Sequence, residues 1–287
     1  SVFTSFIGFA IFSGVGSDTF VFDAFGVKGM FLAILCGIIG SATYMLFARG
    51  IRKKLQLYAD GADAEFNTAI AMFLPMGLTS IVFAVLNYCV TVITGTAHIQ
   101  DYIISLANGI FADMGRGLGS GLLFVLISSI LWFFGVHGSD VLEEVSDQLF
   151  VPAVAINENL IASGQAPTEI FSKTFLDVFV LMGGCGVSLC LLMALLLFSK
   201  RRTNHSLGRL ATIPMLFNIN EIMIFGLPVV FNPLLMIPFL LTPILIMIIS
   251  WGAMTLGFVP LVVHPVVWTT PIFISGYLAT GSFAGAL

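Results

Sequence analysis

Charge is what this chain most lacks. Between Leu210 and Leu287 the only Asp, Glu, Lys or Arg is Glu221. Over all 287 residues charged side chains make up 9% and apolar ones 58%, against about a quarter charged in soluble domains. That excludes an ordinary water-soluble enzyme. Helix-length runs without charge cover Met30–Ala48, Phe66–Ile99, Gly117–Ser139, Val178–Ser199 and, Glu221 apart, Leu210–Leu287. About 20 such residues span a bilayer as helix, whereas a membrane barrel would show short alternating strands. The expected fold is an all-α integral membrane protein with several spanning helices.

Other shortages narrow the chemistry. The cysteines, Cys36, Cys89, Cys185 and Cys190, have neither CxxC nor zinc spacing and read as small core residues. No histidine pair at helical spacing points to a metal, so neither metal nor other cofactor is expected. A net charge of −4 without a basic tail argues against nucleic acid. The chain opens Ser1-Val2-Phe3 without an initiator Met or signal-peptide pattern and stops at Gly285-Ala286-Leu287. Its ends are expected to be cut from something longer. No internal repeat is evident.

What charge there is falls in clusters. Arg49, Arg52, Lys53 and Lys54 form one, and Lys200, Arg201, Arg202 and Arg209 the other. The positive-inside rule places both in the cytoplasm, with an even number of crossings between them. Clear spans there run roughly over 69–95, 117–136 and 176–198, so a further passage is expected from 98–115 or 140–172. Segment 140–172 mixes Asp140, Glu143, Glu144, Asp147, Glu158 and Glu169 with Phe150, Ile156 and Leu160. That suits a re-entrant segment facing a cavity, and equally a solvated loop with an amphipathic helix. Segment 98–115, with Asp101, Asp113 and Arg116, reads as interfacial or a short crossing. Pro214, Pro228, Pro233, Pro238, Pro243, Pro260, Pro265 and Pro271 interrupt the last run. Such interruptions mark broken helices and re-entrant hairpins around a transporter's binding site.

Glu221 ends the run Asn218-Ile219-Asn220-Glu221. A lone carboxylate at membrane depth costs on the order of several kcal/mol, and flanking carboxamides supply donors and acceptors for hydroxyls. A polar ligand such as a sugar fits better than a carboxylate capping a neighbouring helix. His137 closes Trp132-Phe133-Phe134-Gly135-Val136-His137-Gly138. Alone it reads as a helix-end residue, but Gly135 and Gly138 allow close backbone approach and a ring turned into a cavity. In Trp268-Thr269-Thr270-Pro271 the indole suits either a sugar face or the interfacial aromatic belt.

In order, Trp-Phe-Phe-Gly-Val-His-Gly, Phe-Asn-Ile-Asn-Glu, Phe-Gly-Leu-Pro-Val-Val-Phe-Asn-Pro, Ile237-Pro238-Phe239 and Trp-Thr-Thr-Pro resemble the membrane component, enzyme IIC, of sugar phosphotransferase systems. The lactose/cellobiose/chitobiose branch is the nearest in pattern, from Asp23-Ala24-Phe25-Gly26 onward. Ile222 stands where that family usually has Pro, and Val136 where Ile is usual. Neither change removes a polar group.

The resemblance implies a homodimeric, multi-pass permease of a bacterial-type inner (plasma) membrane, with further helices before Ser1 and some chain after Leu287. It would import a disaccharide such as cellobiose, chitobiose or lactose. A cytoplasmic IIB partner would donate phosphoryl from its phosphocysteine to the sugar's C6 hydroxyl. The resemblance sets Glu221 and His137 as catalytic, and Asn220 and Trp268 at the sugar. Asn218, Gly138 and Thr269 join them as expected substrate-binding neighbours. Residues 1–115 would be a scaffold and dimerisation half, 116–287 the sugar-binding transport half. The alternatives are a secondary sugar transporter with Glu221 as proton carrier and, behind it, an intramembrane hydrolase lacking a second carboxylate or nucleophile.

Overall fold

The computed structural model describes residues 1–14, 29–54, 61, 63–111 and 114–287. Asp23–Gly26 and Asp113, used above, lie outside the described residues, as do the side chains of Arg52, Lys53 and Lys54. Every regular element among the described residues is helical. The chain forms two compact units, Ser1–Gly109 and Ile110–Leu287.

The first unit holds α1 (Val2–Ser13), α2 (Met30–Lys54), α3 (Ala64–Thr94) and most of α4 (Ile99–Phe111). Asp63 caps α3 by accepting from the Phe66 N–H at 2.6 Å, and Gly95 ends it in the left-handed region. Phe9, Phe12, Leu32, Cys36 and Phe83 form the core, with Phe12 edge-on to Phe83 at 4.9 Å. Gly8 lets α1 and α3 meet closely, since a Cβ there would lie 2.5 Å from the Phe83 ring. Small residues at helix contacts are the usual device where lipid supplies no hydrophobic drive between helices.

The second unit is more broken. It comprises α5 (Leu118–Phe133), α6 (Gly138–Val141), α7 (Glu143–Leu149), α8 (Pro152–Ala162), α9 (Lys173–Phe175) with a π-turn at Leu176–Val180, α10 (Ser188–Phe198), α11 (Arg202–Leu216), α12 (Glu221–Gly226), α13 (Pro233–Thr255), α14 (Ile274–Thr280) and α15 (Phe283–Ala286). Asn232 caps α13 by accepting from the Leu234 N–H at 3.1 Å, with Pro233 at the first helical position. Helix α13 packs on α5 and on the π-turn. Leu192, Leu195, Ala211, Met215 and Met223 join α10, α11 and α12.

Within α2, α3 and α13, the stretches Phe31–Ile51, Ala64–Thr94 and Pro233–Thr255 are long and apolar enough to cross a membrane. The span expected at 176–198 is not one helix: it breaks between Leu181 and Val187. Gly183, Gly184 and Gly186 sit there at φ 74, 95 and 73, which glycine adopts without steric cost. The span expected at 117–136 is the shorter α5, and 98–115 yields the 13-residue α4, about 20 Å of helix. Nor does every proline break a helix. Pro214, Pro238 and Pro243 lie inside α11 and α13, whereas Pro228 and Pro233 bound a break and Pro260, Pro265 and Pro271 lie in the non-helical stretch 256–273.

Candidate functional site

The glycine loop between the π-turn and α10 joins several of the candidate residues. Asn218, itself left-handed at φ 63, accepts from the Gly183 N–H through Oδ1 at 2.8 Å and donates from Nδ2 to the Trp268 carbonyl at 2.6 Å. Asn220 is buried and donates from Nδ2 to the Cys185 carbonyl at 3.1 Å and to Ser188 Oγ at 3.0 Å. A Cβ on Gly184 would lie 2.5 Å from the Asn220 carboxamide, so the left-handed glycine also makes room for it. The Asn-Ile-Asn run is a double clamp on the loop. After those bonds Asn220 keeps its oxygen, and Asn218 one N–H and one lone pair, for anything that binds.

The same loop reaches the histidine turn. Cys185 Sγ lies 3.6 Å from Ser128 Oγ and 3.8 Å from Ser139 Oγ, and the two hydroxyls are 3.4 Å apart. Gly138 packs on the Ser128 carbonyl, where any Cβ would clash. Gly135, at φ 80, turns the chain after α5, and the Phe231 N–H donates to the Phe133 carbonyl at 3.1 Å. The turn at 133–139 is thereby tied to the glycine loop on one side and to the segment after α12 on the other.

His137 stacks at a tilt on Trp132, ring centroids 4.4 Å apart, and its Nδ1 lies 2.8 Å from Asp140 Oδ1. The ring does not aim Nδ1 along a hydrogen-bond direction, so the contact is a close approach rather than a directed bond. The two side chains are 35% and 30% exposed. Glu221 begins α12 directly after Asn220, is exposed, and makes no hydrogen bond or ion pair among the described residues. Trp268 is half exposed, its backbone held by Asn218, and Thr269 beside it is partly buried.

Sequence reasoning missed the glycine loop, which it counted inside a span. The signal was Gly183-Gly184-Cys185-Gly186 itself, too glycine-rich for an uninterrupted helix. It also missed Asp140 as the partner of His137. Of the cysteines, Cys36 and Cys185 are buried as expected, but Cys89 and Cys190 lie exposed on apolar helices. A cavity of about 180 Å³ is bordered by Phe179, Met182, Ile249, Met254, Ile272 and Leu287. It is mostly apolar and holds none of the candidate residues, so it is set apart from this chemistry.

Comparison with known proteins bears on this arrangement. Residues 1–243 match the family model described as "Phosphotransferase system, EIIC". The chain is 32% identical over 268 residues to the oligo-beta-mannoside-specific EIIC component of Bacillus subtilis, covering 92% of this chain and 60% of that protein. It is 32% identical over 265 residues to the cellobiose-specific EIIC component of Geobacillus stearothermophilus, covering 89% and 57%. The crystal structure of the transporter ChbC, the IIC component from the N,N'-diacetylchitobiose-specific phosphotransferase system, superimposes with a TM-score of 0.59 at 29% identity, over 92% of this chain and 61% of that one. The chain thus spans about three fifths of the length of these relatives.

Proposed function

Because the chain belongs to the EIIC family of the phosphotransferase system, we propose that it carries the sugar site of a permease for a β-linked disaccharide. The sugar is phosphorylated on its C6 hydroxyl by a phosphorylated IIB partner. Relatives named for cellobiose, lactose, oligo-β-mannosides and N,N'-diacetylchitobiose support that substrate class. The protein works as a homodimer in the inner membrane of a bacterium, with residues 1–115 as scaffold and 116–287 as the transport half.

One observation carries the site. The Asn218 and Asn220 clamps tie the glycine loop and Trp268 to the run that ends in Glu221, while the Glu221 carboxylate has no partner among the described residues. A lone carboxylate on a preorganised frame is suited to accept a hydrogen bond from the reacting hydroxyl. It serves there as general base or as the group that aims the oxygen for in-line attack. Asp140 beside Nδ1 leaves His137 Nε2 to face the sugar and to stabilise charge developing on it. The Trp268 indole covers a ring face, with Thr269 and the Gly138 backbone alongside.

The test is phosphorylation of cellobiose, lactose and N,N'-diacetylchitobiose by the full-length protein in membranes, with and without phosphorylated IIB. Product that appears only with phosphorylated IIB is expected. Uptake of unmodified sugar driven by a proton gradient and independent of IIB would overturn the reading in favour of Glu221 as proton carrier.

A further inference from the structure

Asn157, on α8, is fully buried and uses the whole capacity of its carboxamide. Nδ2 donates to the Glu169 carbonyl at 2.7 Å and to the Val262 carbonyl at 2.9 Å. Oδ1 accepts from the Thr168 N–H at 3.0 Å and the Glu169 N–H at 2.9 Å. A carboxamide offers two N–H donors and two lone pairs, and all are engaged. Aspartate would keep the acceptors and lose both donors, and an apolar residue of the same size would orphan every one of these backbone groups.

What Asn157 grips matters more than how tightly. The stretch 256–273 has no helix and is fastened at separate points. Asn157 holds Val262, the Ala279 carbonyl accepts from the N–H groups of Val263 and His264 at 2.8 and 3.1 Å, Asn218 holds Trp268, and the Ile272 N–H donates to the Leu216 carbonyl at 3.1 Å. Five residues separate Val262 from Trp268. Pro265 locks one φ angle in that interval, and the Thr270 N–H closes a turn on the Val267 carbonyl at 2.9 Å. Residues 263 to 267 are the covalent route by which a shift at Val262 would reach the indole, the first two of them held by the Ala279 carbonyl. The other arm of Asn157 holds Glu169, whose carboxylate accepts from Arg116 Nε at 3.0 Å just before α5. One side chain thus ties the polar 163–172 connection to the segment that carries Trp268.

We propose that Asn157 is a positioning residue of the sugar site, setting the register of the 256–273 segment and through it the orientation of the Trp268 indole. The sugar part rests on the assignment of Trp268 in the proposed function; the mechanical link from Asn157 to Trp268 does not. The test uses full-length protein labelled with 5-fluorotryptophan, with the Trp268 fluorine resonance assigned by its loss in Trp268→Phe. In Asn157→Asp the Trp268 resonance moves or splits while those of Trp132 and Trp251 stay in place. Affinity for the preferred sugar among cellobiose, lactose and N,N'-diacetylchitobiose falls by about 10- to 100-fold. The losses from Asn157→Asp and Trp268→Phe combine less than additively, as expected of residues acting through one element.

An unmoved Trp268 resonance in folded Asn157→Asp would overturn the proposal. So would failure of both Asn157→Asp and the milder Asn157→Ser to give folded protein, because Asn157 would then hold the fold rather than aim the indole. If wild type binds none of these sugars while the resonance still responds, the sugar assignment fails and the mechanical link stands.

Discussion

In Ser1–Gly109 long helices meet through rings and glycines, as where Gly8 receives Phe83, and the buried core is aromatic and aliphatic. In Ile110–Leu287 short helices are stitched by carboxamides, with Asn157, Asn218 and Asn220 each bridging backbone far apart in sequence. A packed helix satisfies its own backbone, whereas every break in a helix frees N–H and C=O groups that lipid cannot satisfy. The second unit therefore relies on buried carboxamides at its breaks, whereas in the first polar side chains serve mainly at helix ends, as Asp63 and Asn87 do. The same broken backbone is what can approach and orient a hydroxylated ligand.

The sharpest way to test that contrast is to remove function without touching the stitching. Glu221 makes no hydrogen bond or ion pair among the described residues, so Glu221→Gln should leave thermal unfolding and much of the sugar binding intact. Phosphorylation from IIB should fall by about 10²- to 10⁴-fold, the usual loss for a positioned general base. Phosphorylation at the wild-type rate with binding retained would reduce Glu221 to a binding group.

Next comes the stitching itself. Gly184→Ala places a methyl against the Asn220 carboxamide at φ 95. It should lower stability by about 1–3 kcal/mol, as overpacking and left-handed strain commonly do, measured by thermal unfolding in detergent together with loss of sugar binding. In the other unit Gly77 on α3 has nothing within 4 Å of an added Cβ. Gly77→Ala should be neutral or stabilising by up to about 1 kcal/mol, since alanine is the better helix former. Equal damage from both substitutions would erase the distinction between the units.

Trp268 gives an intermediate effect that concerns binding rather than folding. Trp268→Phe keeps part of the ring and loses the indole donor, weakening sugar affinity by about 1–2 kcal/mol at unchanged expression. Trp268→Ala should cost more, because the whole platform goes. Isothermal titration that finds the alanine variant unaffected would assign Trp268 to the membrane interface and strike it from the site.

Much of this was legible before any coordinates. The shortage of charge implied spanning helices, and α3 and α13 arose in the two longest charge-free runs, while α2 formed in the shortest. The isolation of Glu221 and the glycines flanking His137 stood out because each departs from its local background. The stretch 176–198 is not one continuous helix, for an instructive reason. Hydropathy adds up side chains and does not register that Gly183, Gly184 and Gly186 let the backbone leave the helix. Asp140 was visible as part of a polar segment, but its pairing with His137 emerged only when α6 turned at Gly138.

What the sequence alone determined is the solvent this chain is built for, the residues whose chemistry is out of place in it, and the family that shares them. Those are properties of composition and of short ordered motifs, carried by neighbours along the chain. The tertiary structure decided which polar groups are used up inside the protein and which remain free. Asn218 and Asn220 look alike in sequence, yet one ties Gly183 to Trp268 and the other holds Cys185 and Ser188, while Glu221 next door has no partner among the described residues. Nothing in the sequence singles out Asn157, yet a carbonyl 105 positions away rests on it. A hydrogen bond depends on distance and direction between atoms that may be remote in the chain, and only folding brings such atoms together.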